Sequence, residues 1–389
     1  MKKNNTYTFR KFINDVHLWL GLASGIILFI VCFTGTVLVF EQDIKEFFAE
    51  DVIVEAQVEK QTVTSLAEEL KASNGFYVTG VTIPNNQNEA YTFLVKEDLK
   101  QPRGTKVLVD PYTKVIHKAE KTKADAFMLT MFKLHRWLLL DPTIGRPIVG
   151  VATIVFLVLA ISGIILWFPK RIKWKTVKQG FKIKTKANWK RVNHDLHNTL
   201  GFYACLFLLV MAITGLCWSF ESYREGLGYV MGTKIFDRSS PEFHLEDSSD
   251  AMTISYDEAI QLANQTLNYP GELAVTFPNP KNNYYSFRKY NDSNWSPSTS
   301  DKLFLDTAGA VLKVEYFDEK PLNQKLASVI KPLHTGDIFG TFSKVVYFLA
   351  CLIATSLPVT GTLIWLNKLK KKNNRKVPNL RKMSSNARE

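Results

Sequence analysis

The chain has 389 residues, a formal net charge of +13 and 46% hydrophobic residues, a composition that an evenly mixed sequence would share with a basic soluble protein of two or three domains. Its apolar residues are instead gathered into long blocks that hold all four cysteines, Cys32, Cys205, Cys217 and Cys351. This excludes a disulfide framework in the connecting segments and any CxxC redox or metal motif.

Residues 1–16 are basic through Lys2, Lys3, Arg10 and Lys11 and lead into residues 17–40, where Leu18 to Phe40 lacks Asp, Glu, Lys and Arg. A helix needs about 20 apolar residues to cross a hydrocarbon core of roughly 30 Å, so this block predicts a span. It is too long for a signal-peptide core, and its exit, Phe40-Glu41-Gln42-Asp43, offers no small-residue cleavage site, so it is read as retained.

Residues 41–134 read as a first outer domain: a helix over 62–72 (TVTSLAEELKA), then strands over 77–83, 90–96 and 106–116, with Asp110-Pro111-Tyr112-Thr113 as a hairpin turn in the last run. An outer-interface segment, 135–147, precedes a second span over 148–168. The loop 169–196 carries ten Lys or Arg between Lys170 and Arg191 and no acidic residue in that stretch. A third span, 197–220, leads to a second outer domain, 221–333, with a helix over 255–266 and strands over 272–277, 284–290 and 302–314, the last turning at Asp306 to Gly309. A second interface segment, 334–344, precedes a fourth span, 345–366, and the tail, 367–389, holds nine Lys or Arg between Lys368 and Arg388. Both basic runs follow a span directly, so they orient the chain with its termini and middle loop in the cytoplasm. They read as topology and attraction to a lipid bilayer, and nucleic acid is not expected as a partner.

The chain is an internal duplication. Setting His17-Leu18-Trp19-Leu20-Gly21 against His197-Asn198-Thr199-Leu200-Gly201 brings Thr34-Gly35 onto Thr214-Gly215 and Phe40-Glu41 onto Phe220-Glu221, every pair at an offset of 180. In the second and fourth spans His135 matches His334, Ser162-Gly163 matches Thr360-Gly361 and Trp167 matches Trp365, at offsets of 199 falling to 198.

Topology then sets the depth of four histidines: His17 and His197 near the inner face, His135 and His334 near the outer one. A lone histidine at a span end is ordinarily an interfacial or packing residue. Four at equivalent positions point to a pathway or cofactor, and neutral imidazole is an axial ligand of haem iron. Each span also carries a hydroxyl-glycine pair near its exit, so Gly163 and Gly361 fall at the depth of the inner histidines and Gly35 and Gly215 at that of the outer ones. Glycine there leaves room for a flat macrocycle, or equally for close helix packing. His194, one turn before His197, is the alternative inner ligand. His117 and His244 have no repeat partner and read as surface residues. Arg136, Arg146 and Lys331 near the outer pair, and Lys190 and Arg191 near the inner one, read as interfacial anchors or as partners for haem propionates. A different histidine-bound metal lacks further ligands at zinc-like spacing.

These motifs, with Leu134-His135-Arg136-Trp137, Asp195-Leu196-His197 and Leu333-His334, make the chain resemble the PepSY-associated transmembrane (iron-regulated membrane protein) family over about residues 10 to 370. The resemblance implies a membrane all-α four-helix bundle from an internal duplication, with two periplasmic α+β PepSY-like domains. Because the family includes di-haem ferric-siderophore reductases of the bacterial inner membrane, it also implies two b-type haems on His17, His197, His135 and His334. A ferric siderophore would then be the acceptor and quinol or a separate donor the electron source, since no Gly-rich nucleotide loop is present. Tyr284, Tyr285 and Trp295 are candidates to line a chelate site or to serve as ordinary strand packing. The competing readings are a non-enzymatic PepSY membrane protein that binds or regulates periplasmic peptides or peptidases, and a haem protein that reduces a periplasmic protein partner.

Overall fold

The computed structural model describes residues 7–49, 52–98, 100–101, 104–118, 122–237, 239–243 and 253–385; His244 lies outside them. Four helices in it are long and apolar enough to cross a membrane. The first is α1 (Phe9–Leu38), opened by Thr8, whose side chain accepts from the Lys11 amide.

Beyond α1 the chain leaves through the short α2 (Glu41–Phe48) and builds α3 (Val63–Asn74), β1 (Tyr77–Ile83), β2 (Tyr91–Lys96), β3 (Thr105–Val109) and β4 (Ile116–Lys118). It returns through α4 (Lys123–Trp137), which carries His135, and then crosses as α5 (Pro142–Trp167). After the basic loop with its small helix α6 (Trp174–Gly180), the third crossing runs from α7 (Trp189–Asp195) through a π-helical turn at Leu196–Leu200 into α8 (Gly201–Ser219). The second half repeats the plan: α9 (Glu221–Met231), α10 (Tyr256–Thr266), β5 (Leu273–Thr276), β6 (Tyr284–Tyr290), β7 (Ser300–Asp306), β8 (Val311–Glu315), α11 (Leu322–Thr335) with His334, and α12 (Gly340–Ser385). The fourth crossing thus continues as helix well into the basic tail.

The long helices pack in a ring, α1 against α5 and α12 and α8 against the same two, so α1 and α8 stand diagonally. Breaks precede α5 and α12. α4 ends at Leu138 and Leu139, both with positive φ, and α11 ends at Gly336, with φ of 89°. Each histidine-bearing helix packs on the crossing that leads into its own outer segment, α4 on α1 and α11 on α8.

The two outer segments do not form two sheets. They share one antiparallel sheet of eight strands in the order β4-β3-β2-β1-β5-β6-β7-β8. The seam is the pairing of β1 with β5, where Gly80 lies opposite Thr276, Val81 opposite Val275 and Thr82 opposite Ala274. A Cβ on Gly80 would stand 2.4 Å from the Val275 carbonyl oxygen, so this close approach requires glycine.

α3 and α10 cover one face of the sheet, and a single core runs beneath both, from Leu66, Leu70, Phe93 and Val107 to Ala263, Leu267, Phe287 and Leu303. The helices are tied to each other as well: the Asp257 carboxylate accepts from the amides of Val63 (2.7 Å) and Thr64 (3.0 Å) at the start of α3. Trp295 against Phe339, and Ser298 donating to the Asp337 carbonyl, fasten the sheet to the start of α12. The sheet therefore sits over the end of the helical ring formed by Leu38, Pro142, Ser219 and Gly340.

Candidate functional site

The four repeat-related histidines meet as two pairs. At the end of the ring away from the sheet, His17 of α1 and His197 of the π-helical turn have ring centres 6.3 Å apart and planes at 89°. At the sheet end, His135 of α4 and His334 of α11 stand 6.4 Å apart at 56°.

All four rings are held in the same kind of seat. His17 Nδ1 lies 2.8 Å from Ser162 Oγ, His197 Nδ1 2.9 Å from Thr360 Oγ1, His135 Nδ1 3.2 Å from Thr34 Oγ1 and His334 Nδ1 3.2 Å from Thr214 Oγ1. His135 and His334 also reach the carbonyls of Val31 and Met211, each at 2.9 Å, and His17 and His197 use Leu159 and Leu357 in the same way. Each of those carbonyls belongs to the residue three before the hydroxyl. The hydroxyls donate their own protons to carbonyls of their helix, as Thr214 does to Val210 at 2.6 Å and Ser162 to Leu159 at 3.1 Å. An oxygen so committed accepts from the ring, and a carbonyl can only accept. The proton is thereby placed on Nδ1 of each histidine, and Nε2 keeps its lone pair.

The glycine after each hydroxyl completes the seat. A Cβ at Gly215 would lie 2.9 Å from His334 Cε1, at Gly35 3.2 Å from His135 Cε1, at Gly361 3.2 Å from His197 Cε1 and at Gly163 3.5 Å from His17 Cε1. The missing side chains are thus filled by the imidazole rings themselves, so these glycines bear on the ring edges and do not open a gap for a larger planar group.

α4 and α11 lie outside the spans. Withdrawal from water lowers the His135 pKa below its usual value and takes His334 down to about 4, where the charge of His135 adds to the effect. Both rings are neutral at pH 7, the form that ligates metal.

Two imidazoles bound on opposite sides of one metal, with bonds of about 2.0–2.1 Å, place their ring centres about 6.4 Å apart, whereas a tetrahedral ion brings them to roughly 5 Å. Both observed separations fit the opposed arrangement, the axial geometry of haem iron. Among the described residues no group of three or more His, Cys, Asp or Glu is placed to hold a metal ion, which leaves each pair without the further protein ligands a tetrahedral site needs. An apolar groove of about 410 Å³ between α1 and α5, lined by Leu20, Ser24, Ile27, Pro147, Val151 and Val155, follows α1 along the stretch between its histidine and the seat of His135.

His194 stands outside this arrangement: its side chain is 53% exposed and lies 3.7 Å from Asp195. Arg191 is held by Asp195 at 2.9 Å, Arg136 lies over Phe132 and Trp137, and Arg146 lies over Trp137. Lys190 and Lys331 are exposed, and His117 is half-buried on β4. Tyr285 belongs to the core beneath α10, and Tyr284 is covered by Phe243, so neither lines an open site; Trp295 is half exposed between Phe317 and Phe339.

Three features of the site have no clear mark in the sequence. One is the π-helical turn that carries His197, a local widening that recurs at functional positions. Another is Asn193, almost fully buried, whose amide donates to the Thr360 carbonyl at 3.1 Å and braces the seat of His197. The third is Trp218, with its ring centre 5.1 Å from that of His334.

Comparison with curated proteins finds no match. The family model described as the PepSY-associated TM region matches residues 15–368.

Proposed function

The chain belongs to the PepSY-associated transmembrane family, and from that premise we propose that it is a ferric-siderophore reductase whose four-helix membrane bundle holds two b-type haems. The observation that carries this reading is the spacing of the two histidine pairs, 6.3 Å and 6.4 Å, in four seats that all leave Nε2 free. The residues fit the group: paired rings 6.3 Å and 6.4 Å apart and, among the described residues, no cluster of three or more metal-ligating side chains.

Haem bound between each pair supplies a one-electron carrier. His17 and His197 would hold one such carrier at the cytoplasmic end, and His135 and His334 the other beneath the sheet; two are needed because one ring system does not bridge a core of roughly 30 Å. The seats hold the imidazoles in one tautomer and orientation, and the surrounding apolar helices exclude water. Electrons enter from the cytoplasmic side or the quinol pool and leave to a ferric siderophore in the periplasm, whose iron passes from Fe(III) to Fe(II) and loosens from hard oxygen donors. The bacterial inner membrane is the proposed location, with both termini cytoplasmic. The exposed Ile172 and Trp174, interleaved with Lys170, Arg171, Lys173 and Lys175, suit an anionic membrane surface on that side.

The test is the optical spectrum of the detergent-extracted protein. A Soret band is expected that His17→Ala and His135→Ala each reduce by about half, one of the two axial-ligand pairs being lost in each. Absence of the band, or indifference to both substitutions, overturns the reading. Stopped-flow oxidation of the reduced protein by ferric chelates tests the acceptor.

A further inference from the structure

The second half of the chain differs from the first at Trp218, whose ring lies beside the sheet-side His334. At the offset of 180, Trp218 stands where the first half has Leu38. Its ring centre is 5.1 Å from that of His334 on one side and 4.5 Å from that of Phe236 on the other. Phe236 has φ of 57°, a conformation that a bulky side chain adopts only when its surroundings impose it. Here Trp218, Ile235 and Ile330 pack about it.

From Phe236 the chain passes to the face of the sheet opposite α3 and α10. There Ser240 accepts from Asn282, the Pro241 carbonyl accepts from Tyr284, and Phe243 packs on Tyr284 and Phe304. On that face Arg288 lies directly opposite Lys302 on the neighbouring strand. The matching positions of the first half are Leu94 and Lys106, since Phe93 opposes Val107 as Phe287 opposes Leu303.

Like charges in register destabilise a sheet, and the carboxylates that act on Lys302, Glu315 and Asp237, are each shared with other lysines. Glu315, opposite Lys302, is engaged by Lys313 at 2.7 Å and Lys320 at 3.6 Å. Among the described residues Arg288 and Lys302 form no ion pair within 4.0 Å. Burial and the nearby Lys320 push the Lys302 ammonium below its usual pKa. Asp237, adjacent to Phe236, feels both Lys234 and Lys302, which puts the cationic cluster one residue from the aromatic pair.

We propose that Lys234, Arg288, Lys302 and Lys320 form the docking site for an anionic ferric chelate, one bearing carboxylates or catecholates, and that Trp218 and Phe236 bridge it to His334. The bridge rests on the haem reading above; the docking site does not. With haem held there, His135 and His334 would keep a donor iron beside this bridge, and one electron passed to the chelate would take the donor from Fe(II) to Fe(III) and the chelated iron from Fe(III) to Fe(II). No proton or covalent bond is exchanged.

Gallium(III) citrate, an anionic and redox-inert probe, tests the docking by calorimetry on the full chain in detergent. The double variant R288Q/K302Q should bind it about tenfold or more weakly, the loss of charge-assisted contacts, while its Soret band and melting temperature stay at wild-type values or the latter rises. W218L, which installs the first-half residue, should bind gallium citrate normally, keep its Soret band and be oxidised by ferric citrate about tenfold more slowly, a rate effect of about 1.4 kcal/mol. Wild-type affinity in R288Q/K302Q overturns the docking site, as does loss in that variant of binding to phosphatidylglycerol vesicles with gallium citrate binding intact. Gallium citrate binding that depends on Arg288 and Lys302 in a protein with no Soret band would remove the haem reading and leave the docking site in place.

Discussion

Thr214 Oγ1 stands 3.2 Å from His334 Nδ1 and donates its own proton to the helix behind it, to Val210 or Met211. The hydroxyl is therefore an acceptor that fixes the tautomer of the ring. Thr214→Val keeps the shape and removes the acceptor, leaving the Met211 carbonyl as the sole partner of Nδ1. Loss of an outer partner of a metal-bound histidine costs about 10–100-fold in affinity. On the di-haem reading, the sheet-side haem should be lost to apomyoglobin faster in this variant, and the other haem should not.

The four glycines make a graded series. Alanine at Gly215 puts a methyl 2.9 Å from the His334 ring, at Gly35 and Gly361 3.2 Å from theirs, and at Gly163 3.5 Å from His17, an ordinary contact. Haem content, read from the pyridine haemochrome, should fall furthest in Gly215→Ala, less in Gly35→Ala and Gly361→Ala, and stay near wild type in Gly163→Ala. An equal effect of all four would mean that the glycines serve helix packing and not the rings.

His194 and His197 separate cleanly by substitution. His197 faces His17 across the ring of helices, while His194 is turned out beside Asp195. His194→Ala should leave the optical spectrum unchanged, and His197→Ala should remove the band of the far pair. The reverse result would reassign the ligand.

Asp257 is a second-half residue that caps a first-half helix, and Thr64 occupies its matching position in α3. Asp257→Ala leaves the Val63 and Thr64 amides without their acceptor, a loss of about 1–3 kcal/mol. The thermal midpoint of the full chain should fall by several degrees, with Asp257→Asn falling less because one oxygen remains.

The spans, the duplication and the grouping of histidines with glycines by depth could all be read from spacing, because a repeat preserves register and a membrane imposes length. The seam of the sheet could not. Its one mark is Gly80, a glycine inside an otherwise β-branched run, and it shows that a backbone comes close without saying which. The turn between α4 and α5 was equally hidden, since Leu138 and Leu139 adopt positive φ with no glycine to announce it, whereas Gly336 marks the matching turn before α12. Tyr284 and Tyr285 looked like adjacent candidates for a binding site, but alternation along β6 sends one into the core and the other under Phe243.

The seam has a further meaning. Val81 and Val275 are counterparts, since each lies opposite a core phenylalanine, Phe93 or Phe287, on its other side, and across the seam they oppose each other. Thr82 with Ala274 and Gly80 with Thr276 are then one contact made twice, the signature of an isologous interface. His17 with His197 and His135 with His334 are also counterparts facing each other, so a single approximate dyad runs from the sheet to the far end of the helices. On such an axis neither half is preferred. Any preference between the halves at the sheet end has to come from residues that the duplication did not keep alike, Trp218 and Arg288 among them.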